Sequence, residues 1–244
     1  MIELITHLKT TVGQNKYKIM KSINEGYGRL HIDVGANEGD CIDFARHEPN
    51  TFVLAFEPVP KLCEKIRAKT THLRNFKLVE TAVSNFNGVS QLNISPESQY
   101  GDYSCSSLLE FSDKSKTDWP GREDFKFIDN VNVNVIRLDN FIIENGIAKI
   151  DFLKIDTQGH DLKVLEGCGE FISIVHMGTM EAGAKDDILY NGQNTEEESI
   201  KFLESRGFEI VSVDSNDVFR NEVNIVFRNK LPKEVNYSKI WSFA

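Results

Sequence analysis

Apolar residues recur at helical spacing through the opening stretch, at Leu4, Ile5, Leu8, Val12, Ile19 and Ile23. This predicts one or two amphipathic helices over residues 1–28, ahead of the main fold. The period then changes. Leu30-His31-Ile32-Asp33-Val34 predicts a short strand, closed by Gly35-Ala36-Asn37-Glu38-Gly39-Asp40, and Cys41 to His47 a helix ending at the Pro49-Asn50 turn. Thr51 to Phe56 is a near-continuous apolar run, as expected of a strand covered on both faces. Glu57-Pro58-Val59-Pro60 follows it, then a helix through Leu62 and Ile66. Phe76 to Glu80 predicts a third strand with Ala82-Val83-Ser84 leaving its end, and Gln91 to Ile94 a further short strand after the Asn87-Gly88 turn.

Further on, Asn132 to Arg137 predicts a strand and Leu138 to Ile143 the start of a helix. Ile150 to Asp156 predicts a central strand, His160 to Glu166 a helix, and Phe171 to Met177 another strand running towards Glu181. Glu196 to Ser205 predicts a helix that stops at Gly207, where a glycine cap is expected. Phe208 to Val213 and Val223 to Phe227 predict a closing antiparallel pair. Strands alternating with helices imply an α/β fold with an open, mainly parallel sheet. No internal repeat or linker divides residues 29–230, which are expected to form one domain with a tail at 231–244. Residues 95–130 break the pattern: rich in Ser, Asp, Lys and Gly, and carrying Tyr100, Tyr103, Trp119 and Pro120, they read as a lid or binding loop.

Composition narrows the classes. The 244 residues are 40% apolar and 27% charged, which excludes disorder, collagen and coiled coil. A formal charge of −9 argues against non-specific nucleic-acid binding, which needs a cationic surface. Cys41, Cys63, Cys105 and Cys168 form no Cys-x-x-Cys pair and no disulfide framework, so four reduced, mostly buried thiols are expected. No run approaches the ~20 apolar residues of a membrane span, and the opening residues lack the pattern of a signal peptide. A cytoplasmic protein without a membrane span is expected; a homodimer is compatible with the sequence, which leaves the oligomeric state open.

In open α/β sheets ligands bind at the carboxyl ends of the strands, near the switch in strand order. The first strand ends with Asp33-x-Gly35-x-x-x-Gly39, where glycine permits close approach of backbone to ligand. This is neither Gly-x-Gly-x-x-Gly nor a phosphate-binding loop, which disfavours a nicotinamide-dependent oxidoreductase. The second strand ends with Glu57, an acid placed to accept bonds from ribose hydroxyls. Together they point to an adenosine-containing cofactor, and the acidic loop favours S-adenosylmethionine over a dinucleotide.

HIDVGANEGD, AFEPVP, TAVSNFNGVSQLNI, SCSSLLEFS, VIRLDNF and DFLKIDTQGHDLKVLEG follow one another as in the FkbM family of methyltransferases, which the chain resembles from about Leu30 to Ile210. The resemblance implies a class I, Rossmann-like methyltransferase fold with helices on both faces of the sheet. It also implies S-adenosylmethionine as cofactor, S-adenosylhomocysteine as product, and hydroxyls of sugars, glycans or polyketide-like compounds as acceptors. Carried over by position, the first motif falls on Asp33, Gly35, Asn37 and Gly39, the ribose acid on Glu57, and the adenine-side loop on Ala82 to Ser84. The motif after the central strand falls on Asp156, Gln158, Gly159 and His160. Asp161 departs from the Glu often found there.

Asp156 is expected beside the sulfonium methyl, and His160 as the general base, because a sugar hydroxyl is a poor nucleophile at neutral pH. Asp156 or Asp161 would orient the imidazole, and Glu181 an acceptor hydroxyl. A divalent cation on Asp156, His160 and Glu181 is chemically acceptable but not favoured. Tyr100, Tyr103 and Trp119 would form an aromatic wall for a sugar ring, with Arg122 or Lys126 holding a phosphate of an activated sugar. The expected reaction is therefore O-methylation of a sugar, nucleotide-activated sugar or glycan. N-methylation of a small amine, or a non-catalytic cofactor-binding module, are the alternatives.

Overall fold

The computed structural model describes residues 22–97, 103–117, 119, 121, 122, 125–184, 189–215 and 221–237. Most of the expected N-terminal helical extension, and Tyr100, lie outside them. The chain order is β1 (Arg29–Val34), α1 (Ile42–His47), β2 (Thr51–Phe56), α2 (Pro60–Thr70), β3 (Phe76–Val79), β4 (Ala82–Ser84), β5 (Gly88–Ile94), α3 (Lys114–Thr117), β6 (Asp129–Arg137), α4 (Leu138–Glu144), β7 (Ile150–Ile155), α5 (Asp161–Gly167), a 3-10 helix (Gly169–Ile174), β8 (Val175–Gly183), α6 (Glu196–Ser205), β9 (Phe208–Ser215) and β10 (Glu222–Asn229).

Seven strands form the central sheet in the order β3-β2-β1-β7-β8-β10-β9. All run parallel except β10, which lies antiparallel between β8 and β9. This is the mainly parallel sheet with an antiparallel C-terminal pair that the sequence predicts. The chain winds outward from β1 to β3 and then returns to lay β7 on the other side of β1, so the order reverses between β1 and β7. There Val34 pairs with Ile155, and the Asp156 amide donates to the Val34 carbonyl at 2.9 Å.

Alternation along each strand divides the core in two. Leu30, Ile32, Val34, Leu54 and Phe56 face α4, α5 and α6 through Leu138, Ile142, Val164, Leu165 and Leu203. Val53 and Ala55 face α1 and α2 through Ile42, Ala45 and Ile66. Each large side chain buried this way contributes about 1.5–3 kcal/mol. The helix after β8 is fixed at its start by a reciprocal capping box between Thr195 and Glu198. It is closed by Gly207 at φ 87°, as its sequence predicts.

Two expectations change. The run from Phe171 does not begin a strand: Gly169 to Ile174 is a 3-10 helix, and β8 starts only at Val175. Phe171 and Ile174, three apart, are buried together, a spacing that suits a three-residue turn as well as an apolar strand. Ala82 to Ser84 is not a loop leaving β3 but a strand of a second sheet, ordered β4-β6-β5. That sheet packs Ala82, Leu92, Val133 and Val135 against Val59, Leu62 and Tyr103, beside the carboxyl end of the main sheet.

The stretch from Tyr103 to Phe111 is held down at two isolated bridges, Asn93 with Ser107 and Phe111 with Tyr190. Phe111 stacks on Phe127 at 4.4 Å, Tyr190 at 4.9 Å and Phe125 at 5.5 Å. The segment after β10 returns beneath the sheet. Its Val235 amide donates to Ala148, and the Tyr237 hydroxyl reaches the carbonyls of Ile142 and Ile147. Among the described residues no helix is long and apolar enough to cross a membrane.

Candidate active site

A cleft opens where β1 and β7 end side by side. Its floor is Val34, Gly35, Asn37 and the β7 exit from Asp156 to Gln158; one wall is Glu57 to Val59; the other is Ala82, Val83 and Leu92 of the second sheet. Tyr103, Ser106, Ser107 and Leu108 form a roof. Glycine at 35 is a steric requirement: its φ is 84°, and a Cβ there would lie 1.8 Å from the Asp156 carbonyl oxygen. Only a bare backbone lets the two strands part at this point.

Asn37 also sits in the left-handed region, at φ 50°. This conformation aims its backbone N–H at Glu57 Oε2, 2.7 Å away, while Glu57 Oε1 accepts from the Val59 amide at 2.8 Å. Glu57 is thus clamped at the cleft wall with its carboxyl buried. Burial pushes its pKa up to about 7, and the two amide bonds work against that rise. The Asn37 side-chain oxygen is buried in the cleft lining without a hydrogen-bond partner among the described residues.

At the β7 exit, Lys154 lies between two carboxylates, 3.4 Å from Asp33 Oδ1 and 3.2 Å from Asp156 Oδ2. Asp33 is fully buried beneath the floor and does not line the cleft; burial raises its pKa, and Lys154 opposes the rise. Gln158, at φ 54°, donates from its amide to Asp156 Oδ1 at 2.9 Å and to Glu181 Oε2 at 3.4 Å. Glu181 therefore stands behind the cleft lining, near Asp156 but joined to it through Gln158. Its own carboxyl is held well above the usual range by burial and then by Asp156.

His160 lines the cleft at the start of α5. Its Nε2 is 2.8 Å from the Ser84 hydroxyl, which in turn donates towards Asn85 Oδ1 at 3.4 Å. Its Nδ1 is buried and without a hydrogen-bond partner among the described residues. Burial, and next the charge of Lys163, lowers the imidazole pKa to about 4, so the ring is neutral at pH 7. The two carboxylates expected to orient it bond elsewhere: Asp156 to Lys154 and Gln158, Asp161 to Thr157 and to the Glu181 amide. Asp161 is a buried tie between the β7 exit and β8, and burial takes its pKa to about 7.

The structure brings Gly35, Asn37, Glu57, Ala82, Tyr103, Asp156 and His160 into one cleft. Gly39 turns the chain into α1 outside it, and Ser84 reaches it only through His160. Trp119 and Arg122 do not line it: both pack on Phe125, with Trp119 edge-on at 6.0 Å and the Arg122 guanidinium 4.0 Å above the ring. Among the described residues no three His, Cys, Asp or Glu side chains are grouped to hold a metal ion. Sequence reasoning missed Lys154, although a lysine inside a buried central strand signals a buried partner. It also missed Tyr190, which nothing in the local pattern marks.

The family model described as the methyltransferase FkbM domain matches residues 33–210, the span that carries every group named above. The chain belongs to the FkbM methyltransferase family. Membership makes it an S-adenosylmethionine-dependent methyltransferase. The 2-O-methyltransferase NoeI of Sinorhizobium fredii is 26% identical over 186 residues, 76% of this chain and 75% of that protein. The 31-O-demethyl-FK506 methyltransferase FkbM of Streptomyces tacrolimicus is 30% identical over 159 residues, 57% of this chain and 59% of that protein. A solved methyltransferase FkbM from Methylobacillus flagellatus superposes with a TM-score of 0.48 at 12% identity, over 82% of this chain and 43% of that one. This chain thus spans less than half of that solved protein.

The residues of the cleft fit the donor that this family uses. Asn37 Oδ1 is a buried acceptor lacking a partner among the described residues, Glu57 presents a fixed carboxyl, and Val59, Leu62, Ala82 and Leu92 are apolar lining of the same cleft. Asp156 supplies a carboxylate at the floor of the same cleft.

Proposed function

We propose that the chain is an O-methyltransferase whose acceptor is a carbohydrate-like hydroxyl on a sugar, a nucleotide-activated sugar or a glycan. The observation that carries this reading is His160, a neutral imidazole that lines the cleft with its Nε2 2.8 Å from the Ser84 hydroxyl. A hydroxyl must lose its proton as it is methylated, and a neutral imidazole lining the cleft is the proton acceptor the site offers for it. The printed names of the NoeI and FkbM relatives, a 2-O-methyltransferase and a 31-O-demethyl-FK506 methyltransferase, support oxygen as the methylated atom.

S-adenosylmethionine supplies, when bound, a methyl group made electrophilic by a positively charged sulfur. The remaining work falls to the chain. Glu57 and Asn37 hold the ribose hydroxyls, Gly35 leaves room for the donor's tail along the β1 exit, and Ala82 bounds the adenine slot. Asp156, balanced by Lys154, offsets positive charge at the cleft floor. Tyr103 offers a ring at the roof against which the apolar face of a sugar packs. Trp119 and Arg122 stiffen that roof from behind through Phe125.

The test is His160→Ala. Turnover with a hydroxyl acceptor drops by about 10²–10⁴, while calorimetric affinity for S-adenosylmethionine stays within about twofold. Undiminished turnover overturns the reading.

A further inference from the structure

One cleft-lining side chain does more than its sequence suggests. Gln158 makes four contacts with four parts of the molecule. Its amide nitrogen donates to Asp156 Oδ1 at 2.9 Å and to Glu181 Oε2 at 3.4 Å, so its two N–H groups satisfy two carboxylates at once. Its amide oxygen accepts from the Tyr190 hydroxyl at 3.1 Å. Its backbone carbonyl accepts from the Ser107 hydroxyl at 2.7 Å.

Those partners come from the β7 exit, from β8, from the segment after β8 and from the roof. Tyr190 is itself fully buried and stacked on Phe111, and its hydroxyl lies 3.1 Å from the Cys105 carbonyl as well. The left-handed backbone at Gln158 is the means by which one side chain turns back to reach Asp156, two residues earlier. An amide is well matched to this place: it gives each carboxylate a donor and offers the phenol an acceptor, and it adds no charge.

We propose that Gln158 is the positioning residue of the donor site: its amide fixes the orientation of the Asp156 carboxylate and couples it, through Tyr190 and Ser107, to the seating of the roof at Tyr103 to Leu108. The proposal rests on the reading that Asp156 faces the sulfonium. Its consequence is selective. A carboxylate held in register recognises the charged sulfonium donor and contributes little to the neutral thioether product, so losing the amide erodes discrimination between the two ligands.

The experiment is calorimetric titration of the full chain with S-adenosylmethionine and, separately, S-adenosylhomocysteine, for the unaltered protein, Gln158→Asn and Tyr190→Phe. Asparagine keeps the amide and tolerates the left-handed backbone, but it is one methylene too short to span both carboxylates. Phenylalanine keeps the ring on Phe111 and removes only the hydroxyl. Gln158→Asn is expected to weaken the sulfonium donor about tenfold, the size of a lost hydrogen bond to a charged group, and the thioether less than twofold. Tyr190→Phe gives the same split at about threefold, and it serves if the first variant folds poorly. An equal loss for both ligands, or no loss in either variant, overturns the positioning role alone. Failure of the unaltered chain to bind S-adenosylmethionine overturns the functional reading and this inference with it.

Discussion

Around His160, burial keeps the ring neutral at pH 7, the form that accepts a proton, with the Ser84 hydroxyl on its Nε2 and no carboxylate bonded to it among the described residues. Glu57 is prepared in a comparable way, held by two backbone amides before any ligand arrives. Glu57→Ala is expected to weaken S-adenosylmethionine binding at least tenfold, read by calorimetry, because hydrogen bonds to a carboxyl of this kind are each worth about 1.5–3 kcal/mol. His31 makes a different prediction. It is wedged between Phe44 and Phe152, its Nε2 has no partner among the described residues, and burial and then Lys154 lower its pKa to about 4. The unfolded chain takes up this proton near 6.5, so between pH 6.5 and 4 the unfolded state binds more protons and stability falls as the pH drops. At pH 5 the cost is about 2 kcal/mol. His31→Phe, which keeps a ring in the slot, should melt higher than the unaltered protein at pH 5, with the difference shrinking by pH 8. The identity of the polar strand-end residues was legible because each follows an apolar run. Their partners were not: Ser84 and His160 are 76 residues apart, and no local pattern joins them.

The elements show where local pattern suffices and where it fails. Long alternating or continuous apolar runs gave β1, β2, β7 and β10 within a residue or two, and α6 came with its glycine stop. Short runs were ambiguous. The stretch from Phe171 is apolar in either geometry, and β4, only three residues long, has no period to read. Its strand character comes from pairing with β6, a partner about fifty residues on. Gly35 tests the junction of elements on which the cleft depends. Gly35→Ala puts a methyl group against the Asp156 carbonyl and demands a left-handed backbone of alanine, so β1 and β7 must spread. A loss of about 3 kcal/mol or more is expected, from overpacking and backbone strain together, seen as a fall in denaturation midpoint. Unchanged stability would mean that the two strand exits are further apart than described.

The molecule as a whole is tied together by contacts remote in sequence. The segment after β10 closes the base of the fold by bonding to Ser173, Ala148, Ile142 and Ile147. Truncation after Lys230 is therefore expected to lower the melting temperature by several degrees while leaving the S-adenosylmethionine affinity of the still-folded fraction unchanged, since this end lies opposite the cleft. The α/β class was legible in the alternation of strands and helices. The 3-2-1 winding, the return to β7 and the second sheet were not, because strand order is decided by side-chain packing across the sheet. That order has a kinetic meaning. The seam between β1 and β7 includes a bond from the Leu30 amide to Asp151, 121 residues away. Closing so long a loop costs entropy before any contact returns it, and folds dominated by such pairings assemble slowly. The cleft lies on that seam, so it exists only once β7 has paired with β1. A chain ending before β7 lacks the cleft floor from Asp156 to Gln158.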